Sequence, residues 1–186
     1  MRVIAGTAGR INLVTPRGDK TRPTTDRVKE TLFNILQPYL FDCIFYDLFA
    51  GSGGIGIEAL SRGAAKAFFS DNSPEAIACI RENLKNTGLS EKAVVSKSSF
   101  EMLLKQSREK ADIVFLDPPY QKGLEIEALR HLKESNLLKE DTMIIIETAP
   151  NQEYNDVDLD GFEIFRVKEY GNLKHVFLHP KYDGGL

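Results

Sequence analysis

A chain of 186 residues with 42% hydrophobic and 27% charged residues is long enough for one well-buried domain and is typical of globular proteins. Its apolar runs are strand-sized and residues 1–6 lack the apolar core of a secretory signal. We therefore expect no membrane span, and a cytoplasmic location. Cys43 and Cys79 match no disulfide framework or metal-ligand spacing, and are predicted to be reduced, half-buried thiols.

The net charge of −3 conceals a basic amino-terminal segment. Residues 1–30 contain seven Arg or Lys residues against three acidic residues, so the remainder of the chain is acidic. This asymmetry favours a polyanionic partner, although short basic tails are also common as solvated surface. Alternating apolar residues within 1–23 predict a short hairpin, and residues 24–26 can cap a helix that Pro38 stops. We predict a basic extension at 1–40 and a main domain at 41–186.

The main domain alternates between strand and helix patterns. Strands are predicted at 44–48, 67–70, 93–96, 113–116 and 143–147, with helices at 55–62, 74–86, 100–106 and 124–134. Two further strands, at 163–170 and 174–179, are joined at Gly171 and Asn172 as a hairpin. Repeated strand–helix units predict a doubly wound, mostly parallel α/β sheet, to which the hairpin adds antiparallel strands at one edge.

A glycine-rich loop, which includes Gly51 and Gly53, follows the first strand and opens a helix. Glycines let the backbone approach a ligand closely, and a helix amino terminus offers N–H groups to an anion. Asp71 lies at the end of the second strand, where a carboxylate can accept both hydroxyls of a ribose. With Gly56, the loop fits the fingerprint of a NAD site as well as that of an S-adenosylmethionine (SAM) site.

Three observations favour SAM over NAD. Asp47 directly precedes the loop, where its carboxylate could face the ammonium group of the donor's methionine part. The chain has no second domain that could carry a hydride acceptor. The acid at Asp117 suits an amine target better than an alcohol.

The tetrapeptide Asp117-Pro118-Pro119-Tyr120 follows a fully apolar strand pattern. The Asp117 carboxylate and the Pro118 carbonyl could accept hydrogen bonds from a nucleobase amine, while Tyr120 stacks on the ring. A turn with a solvated Asp would explain the same four residues. Because ligands of open α/β sheets bind outside the carboxyl ends of the strands, we expect the glycine loop, Asp71 and Asp117 to line one crevice.

The order of glycine loop, Asp71 and DPPY resembles class I SAM-dependent methyltransferases that act on amino nitrogens. The stretches RVIAG at 2–6, TRPTTDRVKE at 21–30 and LFN at 32–34 resemble the RsmD family, bacterial enzymes that methylate guanine N2 in 16S ribosomal RNA. Residues 47–56, 58–64, 83–84 and 117–120 continue the match.

The resemblance implies a seven-stranded class I fold and SAM as the methyl donor, with S-adenosylhomocysteine as the product and no metal. It implies 16S rRNA, within the small ribosomal subunit or its assembly intermediate, as the partner. We expect a monomer.

The resemblance also implies roles by position. Gly51, Ser52 and Gly53 would contact the donor's amino-acid part, Asp71 its ribose, and Asn72, Ser99 and Phe100 its adenine. Asp117, Pro118 and Tyr120 would hold the guanine, with Pro119 beside them. Arg10, Arg22, Thr24 and Arg27 would contact RNA, although a helix cap and surface charges would also account for them. The sequence departs from the family at Asn72, where an apolar residue is frequent, and at Ser99, where Asp or Asn is frequent.

Two other functions fit parts of the pattern. The enzyme could methylate adenine N6 or cytosine N4 in DNA, or the chain could be a non-catalytic RNA-binding assembly protein with a vestigial SAM pocket. His175 and His179 are predicted to be surface or edge residues rather than metal ligands, and Glu147 an ordinary strand-end carboxylate.

Overall fold

The computed structural model describes residues 1–16, 25–120 and 122–181. Arg22 and Thr24, which are predicted to contact RNA, lie outside the described residues. The helices are α1 (Asp26–Leu36), α2 (Gly54–Ser61), α3 (Pro74–Thr87), α4 (Phe100–Gln106) and α5 (Leu124–Glu134). The strands are β1 (Ile44–Asp47), β2 (Lys66–Asp71), β3 (Ala93–Lys97), β4 (Ile113–Leu116), β5 (Met143–Thr148), β6 (Phe162–Tyr170) and β7 (Leu173–Pro180).

The strands form one seven-stranded sheet in the order β3-β2-β1-β4-β5-β7-β6. The first five are parallel to one another, whereas β7 runs antiparallel to both β5 and β6. The prediction of a mostly parallel sheet with an antiparallel hairpin at one edge is confirmed. The strand order reverses at β1, which lies between β2 and β4 and therefore marks the topological switch point.

Local signals explain where the helices begin and end. The Thr25 hydroxyl accepts a hydrogen bond from the Val28 N–H and caps α1. Ser73 caps α3 in the same way, Pro74 occupies its first position, and Gly88 ends it with a left-handed φ of 71°. These elements match their predicted ranges because each carries its own boundary signals.

Helices cover both faces of the sheet, and each strand contributes alternate side chains to the two cores. On one face, Phe45, Phe69 and Phe115 pack with the apolar sides of α1, α2 and α3. On the other face, Tyr46 and Val114 pack with α4 and α5. Because β4 and β5 are buried over their whole length, they appear in the sequence as continuous apolar runs.

The amino-terminal segment is a short hairpin held against α2. Arg2 bridges to Asn12, and the Val3 N–H donates to the Ile11 carbonyl at 2.9 Å. Val3 and Leu13 are buried in the core on the α2 side of the sheet. The predicted hairpin is therefore present, although its pairing is limited to a single bridge. The division into segments 1–40 and 41–186 stays a prediction.

The buried Glu58 side chain of α2 holds this hairpin and α1 in place. Its carboxylate accepts hydrogen bonds from the Ile4 N–H at 2.7 Å and the Ala5 N–H at 3.0 Å. It also forms ion pairs with Lys29 at 3.2 Å and Arg62 at 2.8 Å, and the Lys29 and Glu58 side chains are 1% and 0% exposed. A buried charge needs such partners, since an unpaired one is strongly destabilising.

Both cysteines are buried, so the prediction that they are half-buried is wrong. Burial, followed by the charge of Asp112, raises the pKa of the Cys43 thiol to about 12, which makes it a poor nucleophile. Among the helices of the described ranges, none combines the length and the apolar character needed to cross a membrane.

We expect Glu58→Ala to lower the free energy of unfolding by about 3–5 kcal/mol, because it leaves the Lys29 ammonium buried without its partner. Urea unfolding followed by circular dichroism measures this change. The matched control is Asp160→Ala, which breaks an exposed ion pair with Lys133 and should leave the midpoint nearly unchanged. An equally small effect of both substitutions would contradict this role of Glu58.

Candidate active site

The predicted site residues converge at the carboxyl ends of the central strands. The glycine loop follows β1, Asp71 ends β2 and Asp117 follows β4. Because β1 pairs with both β2 and β4, these three segments surround the switch point of the sheet.

The glycine loop has a backbone shape that only glycine adopts easily. Gly51 and Gly53 have left-handed φ angles of 53° and 78°, and the Gly53 N–H donates to the Ala50 carbonyl at 2.7 Å. Gly53 stands at the cap of α2 and has no side chain, so the helix amino terminus is approached by backbone alone. This geometry suits the binding of a carboxylate or phosphate.

Asn83 of α3 fixes the loop from behind. Its side-chain amide donates to the Ser52 carbonyl at 2.9 Å and to the Val14 carbonyl at 2.8 Å, and its oxygen accepts from the Val14 N–H at 2.7 Å. Asn83 is fully buried and Ser52 is 8% exposed. The amino-terminal segment and the glycine loop are thus joined through one side chain.

The Asp71 carboxylate is held by backbone donors at the edge of the crevice. One oxygen accepts from the Gly51 N–H at 2.9 Å, and the other accepts from the Ser73 N–H at 2.8 Å. An ionised carboxylate has about four acceptor positions, so it can still receive the two hydroxyls of a ribose.

Asp47 is a buried acid beneath the glycine loop. It is 2% exposed, and its carboxylate accepts from the Gly56 N–H at 3.1 Å. Burial raises the pKa of Asp47 to about 7, the Gly56 N–H opposes this, and the charge of Asp71 adds to it. A cation beside Asp47 would therefore be favourable.

Residues 117–120, which follow β4, border this crevice, and we call them the Asp117 lip. Pro118 is buried, whereas Pro119 and Tyr120 are exposed, and 46% of Tyr120 is open to solvent. Burial first, then the charges of Glu147 and Asp47, raise the pKa of Asp117 well above its usual range. Burial, followed by the charges of Glu147 and Asp117, raises the pKa of Tyr120 to about 12, so its ring is neutral and available for stacking.

The residues predicted to contact adenine lie around the ends of β2 and β3. Asn72 is exposed directly after Asp71, and Ser99 occupies the cap position of α4. Phe100 is buried, with its ring centroid 5.2 Å from that of Phe49. Their adenine contacts stay a prediction.

The two described residues that are predicted to contact RNA lie on different elements. Arg10 lies in the turn of the hairpin and has a left-handed φ of 75°. Two residues earlier, the Ala8 N–H donates to the Ser61 hydroxyl at the far end of α2. Arg27 is exposed in the first turn of α1. Contact of either residue with RNA stays a prediction.

The prediction that His175 is a surface or edge residue is wrong. His175 is fully buried in β7, which β6 separates from the edge of the sheet, and its Nε2 lies 2.8 Å from the Glu147 Oε2. Glu147 is 4% exposed, so it is a buried paired acid rather than an ordinary strand-end carboxylate. The sequence did carry a sign of this burial. Alternate residues of a strand lie on one face, so His175 shares its face with the apolar Phe177.

A group of possible metal ligands lies between α4 and α5. Glu101 of α4 and Glu127 and His131 of α5 place ligand atoms within 4.8 Å of one another. Glu127 is exposed. The His131 ring centroid lies 5.9 Å from that of Phe100.

The chain matches the family model described as Conserved hypothetical protein 95 over residues 1–179. It belongs to this family, the RsmD family.

Relatives in the family cover nearly the whole chain. The protein YlbH of Bacillus subtilis is 41% identical over 97% of this chain and 99% of its own length. A protein of Haemophilus influenzae named ribosomal RNA small subunit methyltransferase D is 40% identical over 82% of this chain and 80% of its own. The solved structure of yhhF from Escherichia coli is 32% identical, with a TM-score of 0.82 over 97% of this chain and 98% of its own.

The family shares the class I methyltransferase fold, as predicted. The more distant TrmN structure from Thermus thermophilus is similar to this chain in fold, with a TM-score of 0.69 at 21% identity over 83% of this chain and 48% of its own. At this identity the likeness concerns the fold alone.

We expect Asp47→Asn to stabilise the ligand-free protein at pH 8 and to change little at pH 4. The folded-state pKa of about 7 lies above the ordinary 3.8, so ionisation of Asp47 lowers stability progressively as the pH rises from about 4 to 7. That difference corresponds to at most about 4 kcal/mol, and Asn avoids it.

Urea unfolding of both proteins at the two pH values measures this effect. Asp160→Asn alters an exposed carboxyl and serves as the control. Equal stability of Asp47→Asn and the natural protein at pH 8 would contradict a raised pKa at Asp47.

Proposed function

We propose that the protein transfers a methyl group from SAM to the exocyclic N2 amine of a guanine in 16S ribosomal RNA of the small subunit. The observation that carries the proposal is the Asp117 lip beside the glycine loop and Asp71, at the switch point of a methyltransferase fold. The names of relatives, such as ribosomal RNA small subunit methyltransferase D in Haemophilus influenzae, support the RNA substrate.

The crevice has the groups that SAM requires. Gly51, Ser52 and Gly53 would receive the carboxylate of its amino-acid part, Asp47 its ammonium group and Asp71 its ribose hydroxyls. Asn72, Ser99 and Phe100 would surround the adenine. When bound, SAM supplies a methyl group on a positively charged sulfur. The sulfur is a good leaving group because it becomes a neutral thioether.

The lip would prepare the amine for attack. The lone pair of a nucleobase amine is delocalised into the ring, so the nitrogen is a poor nucleophile. Hydrogen bonds from the amine to the Asp117 carboxylate and the Pro118 carbonyl would hold the nitrogen in a more tetrahedral geometry, with its lone pair toward the methyl group. Buried Pro118 fixes this backbone, so the orientation is set before the reaction begins.

The charge of Asp117 would depend on the bound ligand. Its pKa is raised in the ligand-free protein, chiefly by burial and then by neighbouring acids. A cationic group in the crevice favours the ionised carboxylate, because opposite charges lower the pKa of an acid. SAM binding would therefore convert Asp117 to the form that accepts hydrogen bonds from the amine.

RNA would approach the exposed lip. The guanine has to leave its stack to enter the crevice, and stacking on the Tyr120 ring would return about 1–3 kcal/mol. Pro119, exposed beside it, would bound the base. Arg10, Arg22, Thr24 and Arg27 would contact the phosphate backbone, which makes binding strongly dependent on salt. We infer a monomer that acts in the cytoplasm on the small subunit or its assembly intermediate.

Tritium-labelled SAM offered to small ribosomal subunits, naked 16S rRNA and DNA tests the proposal. We expect label in N2-methylguanine of rRNA. Label in N6-methyladenine or N4-methylcytosine of DNA would overturn the substrate assignment. Tight SAM binding without transfer to any of the three would instead support a non-catalytic assembly protein.

We expect Asp117→Ala to reduce methyl transfer at least about 100-fold, because the amine loses its charged acceptor. SAM affinity, measured by isothermal titration calorimetry, should fall far less than in Asp71→Ala, since Asp117 is assigned to the base and acts on the donor only through its charge. Asp71→Ala is the matched variant and should weaken SAM binding through the lost ribose contact. A large loss of SAM affinity in Asp117→Ala would show that Asp117 belongs to the donor site.

A further inference from the structure

We propose that Glu147 and His175 carry away the proton that methyl transfer releases at Asp117, and deliver it to Tyr170 at the hairpin. This inference rests on the proposed function. It assigns a task to a buried acid–imidazole pair that donor and base binding leave unexplained.

The sheet register places Glu147 beside Asp117. Leu116 of β4 pairs with Ile146 of β5, and Asp117 and Glu147 each follow directly. Neighbouring strands lie about 4.8 Å apart, and side chains alternate between faces. Phe115 and Ile145, two residues earlier, belong to the same core. We therefore expect both carboxylates on that face, and the charge of Glu147 does raise the pKa of Asp117, after burial.

A chain of contacts continues from Glu147 toward the hairpin turn. Glu147 Oε2 lies 2.8 Å from Nε2 of His175, and His175 Nδ1 lies 3.3 Å from the Tyr170 hydroxyl. Tyr170 is the last residue of β6 and adjoins the exposed Gly171. Both ring nitrogens of His175 are engaged, so the imidazole can take a proton at one nitrogen and release one from the other.

The groups that face this path come from every strand around it. They are Asp47 on β1, Asp117 and Tyr120 after β4, Glu147 on β5, Tyr170 on β6 and His175 on β7. Arg166 acts on Tyr170 through its charge, and Lys168 lies 6.0 Å above the Tyr170 ring. Three of the groups are acids in a poorly hydrated region, where two ionised carboxylates side by side are unfavourable. A proton that reaches Asp117 can therefore be shared with Glu147.

The transfer balances without a further reactant. The amine lone pair forms the bond to the methyl carbon, and the carbon–sulfur bond breaks with its electron pair left on sulfur. The nitrogen, now positively charged, gives one N–H proton to the Asp117 carboxylate. Glu147 accepts that proton. In the tautomer of His175 that carries its hydrogen on Nδ1, the imidazole receives the proton at Nε2, gives the Nδ1 hydrogen to the Tyr170 oxygen, and the Tyr170 hydroxyl proton passes to water.

His175→Gln separates this role from a merely structural one. In a single turnover on small ribosomal subunits in weak buffer, quenched samples report methylated RNA and a pH-indicator dye reports protons. The natural protein should release one proton per methyl group, at the rate of methylation. In His175→Gln and Glu147→Gln, methylation should stay within about threefold while proton release and steady-state turnover fall about 100-fold, the lower end of typical proton-transfer contributions.

His179→Gln is the matched control, because His179 also lies on β7 and is hydrogen-bonded through Nδ1 to the Thr142 carbonyl at 3.0 Å, away from Asp117. It should leave both signals unchanged.

Proton release that keeps pace with methylation in His175→Gln and Tyr170→Phe would overturn the proposal, as would an equal loss of both signals. The result for Glu147→Gln is used only if its SAM affinity shows that this variant is folded. If it is not folded, His175→Gln alone tests the proposal. Absence of methylation by the natural protein would refute the proposed function instead.

Discussion

The arrangement of the site depends on the hydrogen bonds and ion pairs of the buried Glu58 carboxylate. The carboxylate binds two backbone N–H groups of the amino-terminal hairpin and the side chains of Lys29 and Arg62, and so joins the hairpin and α1 to α2. The glycine loop forms the opposite end of α2. Because a buried carboxylate is stable only with its full set of partners, the three segments fold as a unit.

Asn83 extends this unit to the donor side. The buried Asn83 side chain joins Val14, in the amino-terminal segment, to Ser52 in the glycine loop. A buried amide that lost one of these partners would be destabilised by about 1–3 kcal/mol. The position of the amino-terminal segment and the shape of the loop are therefore energetically coupled, even though 69 residues separate Asn83 from Val14.

Those features that neighbouring residues determine could be predicted from the sequence. The cap at Ser73, the stop at Gly88 and the apolar run at β4 each depend on a few adjacent residues, so these elements and the switch-point crevice were predictable. The roles of Glu58 and Asn83 were not, because their partners are distant in sequence. His175 was misassigned because a strand histidine without a third metal ligand nearby in sequence was interpreted as a surface or edge residue, whereas the two-residue period of β7 places it on the buried face with Phe177.

The acids at the crevice also affect the lifetime of the protein. Without a ligand, Asp47 and Asp117 are held where ionisation is unfavourable, so the empty form is less stable than its packing alone would make it. A ligand with a cationic sulfur and an ammonium group relieves this repulsion. By mass action, its binding raises the free energy of unfolding as its concentration rises. The empty form would then unfold more often than the loaded form and expose more of the chain to proteases.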